Sequence, residues 1–168
     1  ITYTQWLNPD GRIEADLTVT KLADDRFFVV ASDTAHGAAL AQLRAAAGDA
    51  AVTVADVTAD FAQLNVQGPQ SRDLLATLTD ADLSTQVHPF RAARWLDVAG
   101  VGVLCARITY LGELGYELYV PAEQATHVYD RIVAAGLPFG LVHAGLKSLA
   151  SLRMEKGYRD FGHDIDNT

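Results

Sequence analysis

The run Tyr110–Val120, YLGELGYELYV, decides how the rest of the chain is read. β-Prone residues flank its glycines, ARITY (106–110) before Gly112 and GYELYV (115–120) after it, and glycine reaches backbone angles closed to other residues. The pattern predicts a hairpin-like turn. Glu117 stands inside its aromatic and aliphatic second strand, where a carboxylate must find donors or cost stability. Two parallel N–H bonds to a carboxylate suit an amino-pyrimidinone edge such as that of guanine or a pterin. Tyr110 and Tyr116 are the candidates to stack on or cover such a flat ring. A local structural partner is the simpler alternative, and these residues alone leave both open.

Working outward, RWLDVAG and VGVLCARITY are two β-prone runs around Gly100 and Gly102, a second predicted hairpin leading into the first. PQSRDLLATL carries Leu74, Leu75 and Leu78 on one face after Pro69, a short helix that should end by Thr79. After Pro121, AEQATHVYDRIVAAG reads as a helix with Ala125, Val128, Tyr129, Ile132 and Val133 inward and Gly136 as its stop. HAGLKSLASLRMEKG predicts another, its apolar set being Leu146, Leu149, Leu152 and Met154. Nearer the start, Ile13, Ala15, Leu17 and Val19 alternate with Glu14, Asp16, Thr18 and Thr20, a half-buried strand, and RFFVVA (26–31) pairs with it across Asp24-Asp25. A helix is expected over 33–47, then strands at AVTVADV (51–57) and FAQLNVQG (61–68). The order predicts an α+β fold with antiparallel sheets and packed helices, divided near residue 58 into 1–58 and 59–168. The chain opens inside a β-like sequence and closes at HDIDNT, as a piece of something longer would.

A formal charge of -8 argues against nucleic acid, whose phosphates are met by clustered Lys and Arg. No apolar run approaches the roughly 20 residues of a membrane span, and ITYTQWLNPDG has no signal-peptide pattern. Cys105, the one cysteine, reads as a small core residue. Dinucleotide, P-loop, zinc and nucleophile-elbow motifs are missing, so neither a nucleotide site nor a hydrolase is supported. His163-Asp164-Ile165-Asp166 reads as a solvated loop, His143 as satisfied locally, and Trp6 and Trp95 as core or seam aromatics. Arg153 and Glu155 read as a structural pair. Asp16, taken alone, is a solvent-facing acid on a polar strand face.

Four ordered segments carry a resemblance. YLGELGYELYVP is similar to the Y-[TV]-G-E-x-G-[YWF]-E-[LI] signature of the folate-binding aminomethyltransferase family, that of the glycine-cleavage T-protein. YTQWLNPDGRIEADLTV, FAQLNVQGPQSRDLL and SLRMEKGYRDFGHDID resemble its other segments. TQWLN, EADLTV and EKGYRDFGHD, with Leu149 where many T-proteins have arginine, are closer to the C-terminal folate domain of dimethylglycine and sarcosine dehydrogenases and oxidases.

The resemblance implies a tetrahydrofolate site in which Glu117 grips the pterin 2-amino and N3 edge and Tyr110 lines the pocket. It also implies that Asp16 is the catalytic carboxylate beside N10, with Tyr3 near it, and Arg159 is a candidate for the ligand's carboxylate tail. The implied reaction moves the carbon of an oxidised N-methyl amine, an iminium, to folate as 5,10-methylenetetrahydrofolate. FAD would be bound by a flavin domain of the parent chain, outside these residues, so this stretch alone is expected not to oxidise an amine. A cytoplasmic location is expected, or the mitochondrial matrix in a eukaryote. The alternatives are a stand-alone glycine-cleavage aminomethyltransferase and a folate-binding module without transfer chemistry. Arg12 stands where the family's second glycine would follow Gly11, which puts the approach to Asp16 in question.

Overall fold

The structure, a computed structural model, describes residues 1–166; Asn167 and Thr168, the end of the HDIDNT reading, lie outside the described residues. It consists of helices and antiparallel sheets, as expected, gathered in two compact units. One is Ile1–Thr58 with the stretch from Arg159 onward, and the other is Ala59–Tyr158.

In the first unit β1 (Thr2–Leu7), β2 (Ile13–Ala23) and β3 (Arg26–Ala31) form an antiparallel sheet in that order. The alternation in β2 buries Ala15 and Leu17 and leaves Asp16 half-buried on the other face. The β1–β2 turn is made by Asn8, whose Oδ1 accepts the N–H groups of Asp10 at 3.0 Å and Arg12 at 2.9 Å. Only Gly11 in this turn has a positive φ, +80°, so the turn needs no glycine at 12 and tolerates Arg12.

Helix α1 (His36–Ala47) starts later than the expected residue 33. Ser32 Oγ accepts the Ala35 N–H at 3.3 Å and Asp33 Oδ1 that of Thr34 at 2.8 Å, which spends the capping residues on a turn ahead of the helix. The expected strand at 51–57 does not form. Its valines have no ladder partner, and Asp56 bends the segment locally by accepting the Thr58 N–H at 3.0 Å while facing His36 Nε2 at 3.0 Å.

In the second unit β4 (Phe61–Gln67), β5 (Ala93–Val98), β6 (Val101–Ala106) and β7 (Gly115–Pro121) form an antiparallel sheet in the order β4-β7-β6-β5. One face is covered by α2 (Ser71–Ala76) and α3 (Ala125–Gly136), with Val66, Leu74, Leu75, Tyr116, Leu118 and Val128 among the buried core. Each such side chain contributes about 1.5–3 kcal/mol by leaving water. The β5–β6 hairpin turns on Ala99 and Gly100, with φ of +55° and +84°, the two left-handed residues of a type I′ turn. Cys105 is buried in β6, where desolvation pushes its thiol up to about 12 and leaves it inert.

Two expectations are corrected and one is narrowed. ARITY leaves the sheet at Ala106, because Arg107 pairs its backbone with Arg91 and Ala92 beyond the end of β5 and Ile108 turns back onto Ala106. The apolar set assigned to α4 (Leu146–Glu155) is not its inward face: Leu146 is 82% exposed, Met154 61%, and only Arg153 is buried. A three-residue step lags a full helical turn by about 60°, so 146, 149 and 152 spiral round the helix, whereas Leu149 and Arg153 lie one above the other. Of the two alternatives for Trp95, core or seam, the first is removed: the ring is half exposed at the sheet surface beside Phe61.

Candidate functional site

Residues of β7 alternate in role. Tyr116, Leu118 and Val120 are fully buried in the core, and Glu117 and Tyr119 point to the opposite face of the sheet. Tyr116 therefore cannot cover a ring at Glu117. Its hydroxyl accepts from Arg72 Nε at 3.2 Å on the core side.

Tyr119, which the sequence reading passed over, is the partner of Glu117: its hydroxyl donates to Glu117 Oε2 at 2.6 Å, a short charge-assisted bond. Burial raises the Glu117 pKa, and the Tyr119 bond pulls the other way. Burial and then the Glu117 charge raise the pKa of Tyr119, which keeps its proton and remains a donor. The period of two could have found it, since residue 119 must share the face of 117.

β4 lies alongside in register, Gln63 opposite Tyr119, Asn65 opposite Glu117 and Gln67 opposite Gly115. A row of amides thus borders the carboxylate. Gln63 Nε2 donates to Asn65 Oδ1 at 3.4 Å, and Gln67 Oε1 is buried with no hydrogen-bond partner. The Gln67 amide fills the space that a Cβ on residue 115 would occupy, which is the requirement for glycine there.

The connection from 107 to 114 is held down from α4 and the residues after it. Tyr110 stacks on Tyr158, with centroids 6.0 Å apart and planes within 5°, and Lys156 Nζ pairs with Glu113 at 3.2 Å. Gly112, with φ of +70°, lies against the Lys156 side chain. Arg153 Nη1 donates to the Tyr158 carbonyl at 2.8 Å, so the buried arginine positions the stacking tyrosine. A cavity of about 310 Å³ opens beside this connection, lined by Phe90, Arg107, Thr109, Leu114, Gly115 and Tyr158.

In the first unit Tyr3 Oη donates to Asp16 Oδ2 at 2.9 Å, across the β1–β2 ladder in which Gln5 opposes Asp16. Desolvation first, then the bond to Asp16, raises the Tyr3 pKa and keeps it a donor. Arg159 is exposed beyond α4. His143 Nε2 meets Tyr129 Oη at 2.8 Å, a local satisfaction. Among the described residues no group of metal-ligating side chains is assembled, and no helix is long and apolar enough to cross a membrane.

Within the units, then, Asp16 is joined to Tyr3, Glu117 to Tyr119 and Tyr110 to Tyr158. Glu117 offers a fixed, partly desolvated acceptor edge to parallel N–H donors, and Asp16 a carboxylate oriented by a phenol. The family model of the GCVT N-terminal domain matches residues 1–168. The chain belongs to that family.

This GCVT N-terminal domain is 40% identical over 163 residues to the 4-methylaminobutanoate oxidase (formaldehyde-forming) of Paenarthrobacter nicotinovorans, covering 97% of the chain and 20% of that protein. It is 36% identical over 183 residues to the mitochondrial sarcosine dehydrogenase of Mus musculus, covering 97% of the chain and 19% of that protein. Among solved structures, the glycine cleavage system aminomethyltransferase T of Bartonella henselae superimposes with a TM-score of 0.82 at 28% identity, over 98% of this chain and 43% of that one. The GCVT N-terminal domain thus spans about a fifth of the length of these curated relatives, at 20% and 19%.

Proposed function

We propose that the chain is the folate-binding one-carbon transfer domain of an enzyme that demethylates an N-methyl amine such as dimethylglycine or sarcosine. The one-carbon unit is passed to tetrahydrofolate, giving 5,10-methylenetetrahydrofolate. The observation that carries this reading is the Glu117 carboxylate, half-buried, held through one oxygen by Tyr119 and bordered by the amides of Asn65 and Gln67. Such a site fits a pterin edge, whose N–H groups need fixed acceptors and whose ring oxygen and nitrogens suit amide partners. In this reading Glu117 binds the 2-amino and N3 edge, Tyr110 with Tyr158 borders the ring, and Arg159 meets the tail carboxylate. Asp16, oriented by Tyr3, attends N10 and stabilises positive charge that develops during transfer. FAD would supply amine oxidation from elsewhere in the parent chain.

Asp16→Ala in the full-length parent tests the assignment. Amine oxidation should continue while formaldehyde replaces methylenetetrahydrofolate as product. An unchanged methylenetetrahydrofolate yield would overturn it.

A second reading, aminomethyl transfer in glycine cleavage, is favoured by the TM-score of 0.82 over 98% of the chain. Aminomethyl transfer to tetrahydrofolate without amine oxidation would distinguish it.

A further inference from the structure

On the face of the second unit's sheet opposite Glu117, three arginines gather. Arg72 Nη2 and Arg107 Nη1 both donate to Thr85 Oγ1, at 3.2 and 3.3 Å. Arg107 Nη1 also donates to the His88 carbonyl at 2.9 Å, and Arg94 Nη1 to the Asp82 carbonyl at 3.2 Å. All these acceptors are neutral. Among the described residues none of the three guanidinium groups is ion-paired with a carboxylate, although the protein has 21 acidic residues against 13 Lys and Arg. Like charges converging on one hydroxyl in an acidic protein form a local positive field that Asp82, acting through space on Arg94 and Arg72, offsets only in part.

His88 lies within reach of that field. Its imidazole is fully buried with neither ring nitrogen partnered, 5.9 Å from the Tyr116 ring. Burial first, and then Arg94, Arg107 and Arg72, depress its pKa to about 4. Thr85 is exposed, and a shallow depression of about 590 Å³ leads to it past Arg72, Ser84 and Gln86, with Asp73 and Asp82 on its rim. Asp82 accepts the Ser84 N–H at 2.7 Å and forms no ion pair with the arginines, although its charge acts on Arg94 and Arg72 through space.

We propose that Arg72 and Arg107, with the Thr85 hydroxyl between them and Arg94 adjoining, bind a small phosphate-class oxyanion at a site separate from that of Glu117. Two guanidinium groups and one hydroxyl supply donors to three oxygens of a tetrahedral dianion, and guanidinium geometry favours that class. The anion site does not include Glu117, whose side chain lies on the face of β7 opposite Tyr116, although Arg107 also lines the cavity beside Leu114, Gly115 and Tyr158.

The test is calorimetric unfolding of the protein near neutral pH with rising inorganic phosphate, against sodium chloride at matched ionic strength, with glycerol 3-phosphate as a parallel arm. A saturable rise in Tm specific to phosphate supports the site, and a larger rise with glycerol 3-phosphate identifies an ester rather than the free anion. Arg72→Gln should weaken the apparent affinity about tenfold, the loss of a charge-assisted bond. Thr85→Val, an exposed change that keeps the charges, should weaken it less. In the unsubstituted protein, sulfate, still a dianion in mild acid, should move the His88 imidazole titration upward from about 4. Equal shifts with chloride, an affinity indifferent to Thr85→Val, or a His88 titration unmoved by sulfate would each overturn the proposal.

Discussion

Tyr119 donates its hydroxyl to Glu117 Oε2 at 2.6 Å, joining two residues of β7 that share a face. The phenol is itself buried, so the bond fixes the carboxylate from a rigid support. Tyr119→Phe leaves a half-buried carboxylate without that donor. The expected cost is about 1–2 kcal/mol of stability, with folate affinity weakened several-fold. Denaturant titration and ligand titration check both, and unchanged values in the two would remove Tyr119 from its positioning role.

Glu117 has a pKa raised by burial, so its contribution to stability is present below the ordinary carboxylate range and is lost as pH rises through the raised value. Glu117→Gln should therefore flatten the pH dependence of stability above the ordinary glutamate pKa and make the fold more stable at neutral pH. Folate binding should behave in the opposite sense, weakening in the unsubstituted protein as acid protonates Glu117. A Gln variant that binds folate as well as the parent at neutral pH would refute the pterin role.

His88 is the reverse case. With a pKa depressed from 6.5 to about 4, the neutral form is the one the fold accepts, and its contribution is complete above 6.5 and lost as pH falls toward 4. That loss is on the order of 3 kcal/mol at about 1.4 kcal/mol per unit. His88→Leu, which also removes the unpartnered ring nitrogens, should make the acid limb of the stability profile shallower. Equal acid limbs in the two proteins would show that other groups control it.

Gly115 and Gln67 form a tight contact across β4 and β7, and Gly115 has no positive φ to defend. The cost of Gly115→Ala is thus steric, about 1–2 kcal/mol, because the buried Gln67 amide must swing aside. Adding Gln67→Ala should recover most of it. Strict additivity in that double-mutant cycle would mean that the two do not interact.

Local pattern made much of this protein legible. Strict alternation in β2, the leucines of α2 and the glycine-flanked β6 and β7 run each state a period and a stop, and those are properties of adjacent residues. Family signatures pointed to Asp16, Tyr3, Tyr110 and Glu117 in the same way, as words in the chain. Residues 51–57 mark the limit. Their β-prone valines form no strand, because a strand exists only where a partner edge exists.

The sequence by itself determined an α+β chain with antiparallel hairpins and an acid set in each of two strands, because turn chemistry and side-chain period act over a few residues. Only the tertiary structure decided which side chains meet. Tyr119, not Tyr116, holds Glu117, since pleating sends neighbours to opposite faces. Tyr158 backs Tyr110 because α4 delivers it there through Arg153. Arg72, Arg94 and Arg107, scattered along the sequence, share one face only after β5, β6 and α2 have packed. Burial and long-range register set those pairings, and no short stretch of sequence contains either.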